Sequence, residues 1–183
     1  MRPDPAAAPL HGVRVIDLGQ YIAGPGAAMA LAELGADVIK VEPIAGDQAR
    51  HIGRYGESMV RAYNRGKRSI ALDLGSPAGH AAAMRLIAGS DVVIQNLRPG
   101  AVEKLGLGPQ AVRARFPRLV YLSISGFGSQ GPSRTRPCYD VAAQAESGLM
   151  SVTGEPGRPP QKVGVPIIDA AAASLGAQAV LAA

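Results

Sequence analysis

Two short β-branched runs set the strongest constraint on this chain. Residues 13–18 read Val-Arg-Val-Ile-Asp-Leu, and residues 37–41 read Asp-Val-Ile-Lys-Val. Each has the length and composition of a buried strand. Between them the Gly-Pro-Gly of residues 24–26 breaks the chain, and residues 27–34 follow as a compact helix. Gly35 stands where a glycine is expected just past a helix end. So short an interval admits only a strand–helix–strand unit, with parallel strands and a right-handed crossover.

The alternation continues along the chain. Residues 43–66 are less regular and carry Arg50, Arg54, Arg61 and Arg65. Residues 68–74 read as a strand. Ser76 and Pro77 then open a helix, a capping serine followed by a proline whose missing N–H costs nothing there. Gly79, Ala83, Leu86 and Ile87 share one face of it, and Gly89 closes it. Further strands are expected at 91–95 and 119–125, and short helices at 101–105 and 109–116. A loop over 126–137, a helix over 139–150, a second Gly/Pro-rich stretch over 153–166 and an Ala-rich helix over 169–183 complete the reading. The pattern predicts an α/β fold, a Rossmann-like, mostly parallel sheet with helices on both faces. Ligands in such sheets bind outside the carboxyl ends of the strands, here near residues 19–23, Glu42, Leu74, Asn96 and 125–128.

Composition narrows the function. Residues 1–9 read as a disordered Pro/Ala-rich tail without the apolar core of a secretory signal. No run of apolar residues is long enough to span a bilayer. The lone cysteine, Cys138, excludes an internal disulfide and a multi-cysteine zinc site, and the three histidines lack metal-ligand spacing. These features lead to the expectation of a reduced, cytoplasmic protein with no membrane partner and no metal.

Lys and Arg number 19 against 14 Asp and Glu, a net charge of +5. Such a surplus favours an anionic partner. Its densest run spans residues 50–68, with only Tyr55 and Tyr63 available for stacking, so a small polyanion fits better than nucleic acid. The Gly-Pro-Gly mimics a dinucleotide fingerprint, with Glu42 ending the next strand. However, Met29 occupies the third glycine position, which favours a tight helix entry packed on the sheet. There is no Gly-X-Ser-X-Gly elbow, and Cys138 has no histidine neighbour to activate it. Asp169 lies between Val165-Pro166-Ile167-Ile168 and four alanines. It reads either as a helix N-cap or as a partly desolvated, nucleophilic carboxylate at a helix start.

Taken together, the motifs resemble CoA-transferase family III, the group of carnitine and formyl-CoA transferases. The resemblance begins with Leu10-His11-Gly12-Val13-Arg14-Val15-Ile16-Asp17-Leu18, Ala23-Gly24-Pro25 and Leu34-Gly35-Ala36-Asp37-Val38-Ile39-Lys40-Val41-Glu42. It continues through Asn64-Arg65-Gly66-Lys67-Arg68-Ser69-Ile70, Asn96-Leu97-Arg98-Pro99-Gly100, Ser125-Gly126-Phe127-Gly128 and Tyr139-Asp140, covering about residues 10–183.

The resemblance implies that Asp169 is the nucleophile. It would form an anhydride with the acyl group and then an aspartyl-CoA thioester, moving CoA from an acyl-CoA to a carboxylic acid acceptor. No prosthetic group is implied, coenzyme A being a substrate. Gln20, Ala23, Leu72, Asn96, Leu97, Lys104 and Tyr139 are expected near CoA by the same likeness, with Arg136 replacing the basic side chain some members carry where this chain has Pro137. The alternatives are a non-catalytic CoA-binding fragment and an α-methylacyl-CoA racemase. The racemases place a histidine where this chain has Tyr139, and tyrosine is poorly matched to that base's task. Family members are longer and form interlocked homodimers. Residues 10–183 are therefore expected to be the N-terminal part of the CoA-binding large domain, ending within a helix.

Overall fold

A computed structural model describes residues 8–183. Of the expected tail, residues 1–7 lie outside the described residues. Residues 8 and 9 belong to an ordered turn, in which the next residue, Leu10, donates its N–H to the Leu34 carbonyl at 2.9 Å.

Five parallel strands form one sheet: β1 (Arg14–Asp17), β2 (Asp37–Glu42), β3 (Arg68–Ala71), β4 (Val92–Gln95) and β5 (Val120–Ser123). Their spatial order is β3-β2-β1-β4-β5. The chain winds outward from β1 to β3, then returns to place β4 on the other side of β1. This reversal opens a crevice at the carboxyl ends of β1 and β4, the position where ligands enter doubly wound sheets. Ile16 of β1 is paired with Ile39 and Val93. Apolar residues occupy both faces of these central strands, as a sheet covered on both sides requires.

Alternate strand residues feed two cores. One unites Ile16, Ile39 and Val93 with Ala83, Met84 and Ile87 of α3 (Pro77–Ala88), Val102 of α4 (Ala101–Lys104) and Val112 of α5 (Pro109–Arg115). The other unites Val15, Val38, Val92 and Ile94 with Ala27, Ala28 and Leu31 of α1 (Ala23–Glu33) and Ala177 of α7 (Ile167–Leu181). Truncating a fully buried residue such as Ile87 to alanine costs about 2–5 kcal/mol. No helix among the described residues is long and apolar enough to cross a membrane.

Three local expectations are corrected. The Gly-Pro-Gly segment does not break the chain but lies inside α1. Pro25 falls in the first turn, where backbone N–H groups lack helical partners anyway. The glycines serve close packing. A Cβ on Gly24 would come within 2.7 Å of Asn96 Oδ1, and one on Gly26 within 2.8 Å of Ala173 Cβ in α7. Next, the irregular stretch over 43–66 contains a full helix, α2 (Gly53–Tyr63). It buries only Gly56 and Met59, so its apolar signal is thin. Finally, the helix expected over 139–150 is α6 (Asp140–Glu146), followed by a separate 3₁₀ turn over Leu149–Val152.

Candidate functional site

A cavity of about 380 Å³ sits at the crevice between the ends of β1 and β4. Gln20 and Tyr21 line it from the loop after β1, and Asn96, Leu97 and Arg98 from the loop after β4. The opposite wall carries Arg136, Cys138, Tyr139 and Asp169. A second, more open cavity of about 620 Å³ shares Tyr21, Tyr139 and Asp169 with the first. Asp169 and the two tyrosines therefore stand at the junction. The tyrosine rings meet edge to face, with centroids 5.8 Å apart.

Asp169 occupies the first turn of α7 but does not cap it. The capping is done by Asp140, whose Oδ1 accepts N–H donations from Ile168 at 2.7 Å and Asp169 at 3.0 Å. Asp140 is held in turn by the Gln144 amide. With its helix end already satisfied, Asp169 is free of the usual task of an aspartate there. Its carboxylate accepts no hydrogen bond from any described residue. Burial, reinforced by the negative charge of Asp140, raises its pKa to about 6. The cap reading of Asp169 is thus corrected.

The other wall is built differently. Each backbone polar group from the Gly19 N–H to the Tyr21 N–H is held by a side chain. Asp17 Oδ1 accepts from Gly19 at 2.8 Å, and Lys40 Nζ donates to the Gly19 carbonyl at 2.7 Å. Asn96 accepts from the Gln20 N–H at 2.8 Å and donates to its carbonyl at 2.9 Å. Asp47 Oδ1 accepts from Tyr21 at 3.2 Å and from Ala49 at 2.9 Å. Tyr21 consequently adopts a left-handed backbone with φ of 62°, which is strained for a bulky residue and persists only when its surroundings over-determine it. Its hydroxyl donates to Gln48 at 3.0 Å.

Charges buried beneath this loop pair with one another. Lys40 is 1% and Asp47 1% exposed, and Lys40 Nζ lies 3.0 Å from Asp47 Oδ2. Lys67 Nζ donates to Asp17 Oδ2 at 2.8 Å and to the Pro25 carbonyl at 2.7 Å. Burial pulls the Lys67 pKa down, opposed by Asp17. Glu42 receives a bidentate bond from Arg50, both contacts at 2.8 Å, and its pKa falls to about 2 chiefly through that bond. Removing one member of a buried pair costs about 3–5 kcal/mol, because the other is left uncompensated.

The expected residues divide accordingly. Asp169, Gln20, Asn96, Leu97, Arg136 and Tyr139 come together around one cavity. Ala23 is buried at the start of α1. Leu72 follows β3 at the far edge of the sheet, and exposed Lys104 ends α4; neither lines the cavity. Most of the basic run over 50–68 is spent internally: Arg50 on Glu42, Arg61 on Glu57, Arg65 on Glu33, Lys67 on Asp17 and Arg68 on Asp37, with Arg54 exposed. At the cavity, Arg136 pairs with Glu146 and lies over the Phe127 ring, whereas Arg98 makes no ion pair among the described residues. Burial, with Asp169 adding to it, pushes the Cys138 thiol up. Asp47 and Tyr21 had no signal of their own in the sequence; only the fold reveals them.

The model of CoA-transferase family III matches residues 10–183. The chain belongs to that family. Among its relatives, the succinate–glutarate CoA-transferase of Agrobacterium fabrum is 46% identical over 172 residues, covering 88% of this chain and 43% of the relative. The succinyl-CoA–D-citramalate CoA-transferase of Chloroflexus aurantiacus is 41% identical, covering 96% of this chain and 45% of the relative. The crystal structure of Rv3272 from M. tuberculosis superposes with a TM-score of 0.89 at 41% identity, covering 97% of this chain and 49% of that one. The chain thus spans about half the length of the curated relatives it matches.

Proposed function

We propose that the chain carries the nucleophile and the CoA-binding wall of a site that moves coenzyme A between carboxylic acids. The supporting observation is the Asp169 carboxylate, half-buried at a cavity mouth and free of hydrogen bonds because Asp140 caps its helix. Carboxylates that serve structure are normally paired; one left desolvated and unpaired is suited to attack.

The exchange then closes in four steps. Asp169 attacks the thioester carbonyl of the donor, the C–S bond breaks, and a mixed anhydride and CoA thiolate result. The thiolate attacks the aspartyl carbonyl of the anhydride, releasing the donor carboxylate and leaving an aspartyl-CoA thioester. The acceptor carboxylate attacks that thioester, giving a second anhydride and freeing the thiolate again. Thiolate attack on the acceptor carbonyl yields the new acyl-CoA and regenerates Asp169. No proton or electron is gained or lost overall. Dividing one difficult exchange between a carboxylate and a thioester into acyl transfers is what covalent catalysis provides.

Arg98 is the cation best placed to receive an anionic group of the acyl-CoA, with Arg136 beside the same cavity. Tyr139 in place of histidine favours transfer over racemisation. We read residues 10–183 as part of the CoA-binding large domain, with an interlocked homodimer as the working assembly. Exposed Val152, Val165, Leu175 and Leu181 support that reading. The test mixes the protein with succinyl-CoA and isotope-labelled glutarate. Labelled glutaryl-CoA is expected, and its formation must vanish in Asp169→Asn. Undiminished exchange in that variant would overturn the proposal.

A further inference from the structure

The loop over residues 19–21 is held more completely than packing alone demands. Five consecutive backbone polar groups are engaged by four side chains, from β1, the β2 segment, the loop after β2 and the loop after β4. Three of the four, Asp17, Lys40 and Asp47, are buried charges that touch no cavity at the Asp169 site, and Lys40 and Asp47 pair with each other. A bent loop could be satisfied far more simply, by neutral partners or by solvent. The buried pair is instead arranged to straddle Gln20. Lys40 holds the carbonyl before it, Asp47 holds the N–H after it, and the two ions meet underneath at 3.0 Å. Asn96 closes the other side. The consequence is a left-handed Tyr21, whose ring packs edge-on against Tyr139 at the junction shared with Asp169.

We propose that Lys40 and Asp47 are positioning residues of the site: their ion pair sets the backbone of residues 19–21 so that Gln20 and Tyr21 face the reacting group at Asp169. They act through the loop and touch no substrate themselves. The inference rests on the transfer reading given above. The reacting end of the substrate lies against the pinned loop, while other parts of the acyl-CoA are bound elsewhere. Loosening the pair therefore lowers kcat and leaves KM for acyl-CoA nearly unchanged. Sub-ångström to ångström misplacement of a positioned group costs up to about a hundredfold in rate.

The experiment has two arms. In the unmodified protein, hydrogen exchange at the Gly19, Gln20 and Tyr21 amides is compared with that at Ile16 in β1. The proposal expects protection within about tenfold of the strand; exchange typical of an open loop, faster by about a thousandfold, would overturn it. In the second arm, Lys40→Met and Asp47→Ala are expected to speed exchange at Tyr21, reduce kcat by at least about tenfold and leave KM within about threefold. Asp47→Asn, which keeps an acceptor for the Tyr21 and Ala49 N–H groups, recovers part of kcat. Ile87→Ala is the control, destabilised to a similar degree but in the opposite core, and it keeps kcat. If the ion-pair variants lose only thermal stability, as the control does, or if they fail to fold while the first arm shows open-loop exchange, the proposal falls. Absence of CoA transfer in the unmodified protein would instead remove the transfer reading, and the exchange data would still judge the loop.

Discussion

The two walls of the cavity are held in opposite ways. On the sheet side, the loop over 19–21 is bonded from the Gly19 N–H through to the Tyr21 N–H by Asp17, Lys40, Asn96 and Asp47. On the other side, Asp169 enters its helix through one borrowed cap from Asp140, its own carboxylate bonded to nothing among the described residues. One wall spends buried charge on rigidity, and the other leaves a charge uncompensated. The difference teaches that in this site rigidity and reactivity are assigned to separate residues, so that they can be broken separately.

The largest effect is expected from the uncompensated charge. Asp169→Asn abolishes exchange by at least about a thousandfold, as loss of a covalent nucleophile does. The same change raises stability at neutral pH. The sign follows from linkage: the folded pKa of Asp169 lies at about 6, above its ordinary value of 3.8. Between these values the folded state binds more protons than the unfolded state. Stability from this group is present below the unfolded pKa and is lost as pH rises through the folded one. Urea titrations should therefore find the variant more stable than the parent at pH 7 and indistinguishable at low pH. A variant less stable at pH 7 would contradict the desolvation of Asp169.

The pinned wall comes next. Gly24→Ala drives a Cβ against Asn96 Oδ1 and disturbs its clasp on Gln20. A loss of about 1–3 kcal/mol is expected by urea denaturation, the range for overpacking a tight contact. The charges then separate. Arg98→Ala weakens acyl-CoA binding about tenfold, the worth of one charge-assisted bond. Arg61→Ala, taken from an exposed pair with Glu57, changes binding by less than about twofold. Calorimetric titration with the acyl-CoA distinguishes the two, and equal losses would restore the basic run over 50–68 as the anion site. The smallest effect concerns Asp140. The exchange rate should fall as pH drops through about 6, and Asp140→Asn, by removing a like charge, should move that limb to lower pH. An unmoved or raised limb would show that Asp140 does not act on Asp169 electrostatically.

The sheet was legible because its central strands β1, β2 and β4 are short β-branched runs. Family III membership was legible because so many motifs stand in order. Three things were hidden, each for a physical reason. The Gly-Pro-Gly inside α1 looks like a breaker because sequence cannot distinguish a glycine needed for φ from one needed for contact with Asn96 and Ala173. Helix α2 hides because it buries only two residues. The arginines around it read as a ligand surface until Glu33, Asp37, Glu42 and Glu57 are seen beside them. Likewise Asp47 and the strain at Tyr21 exist only through long-range partners.

The central claim is that Asp169 becomes covalently acylated. The protein is incubated with succinyl-CoA, then treated with hydroxylamine, which converts an aspartyl thioester to a hydroxamate, and digested for mass spectrometry. The account predicts a hydroxamate on Asp169, formed only when the CoA ester is present. An unmodified Asp169 under conditions where labelled glutaryl-CoA is being made would contradict it.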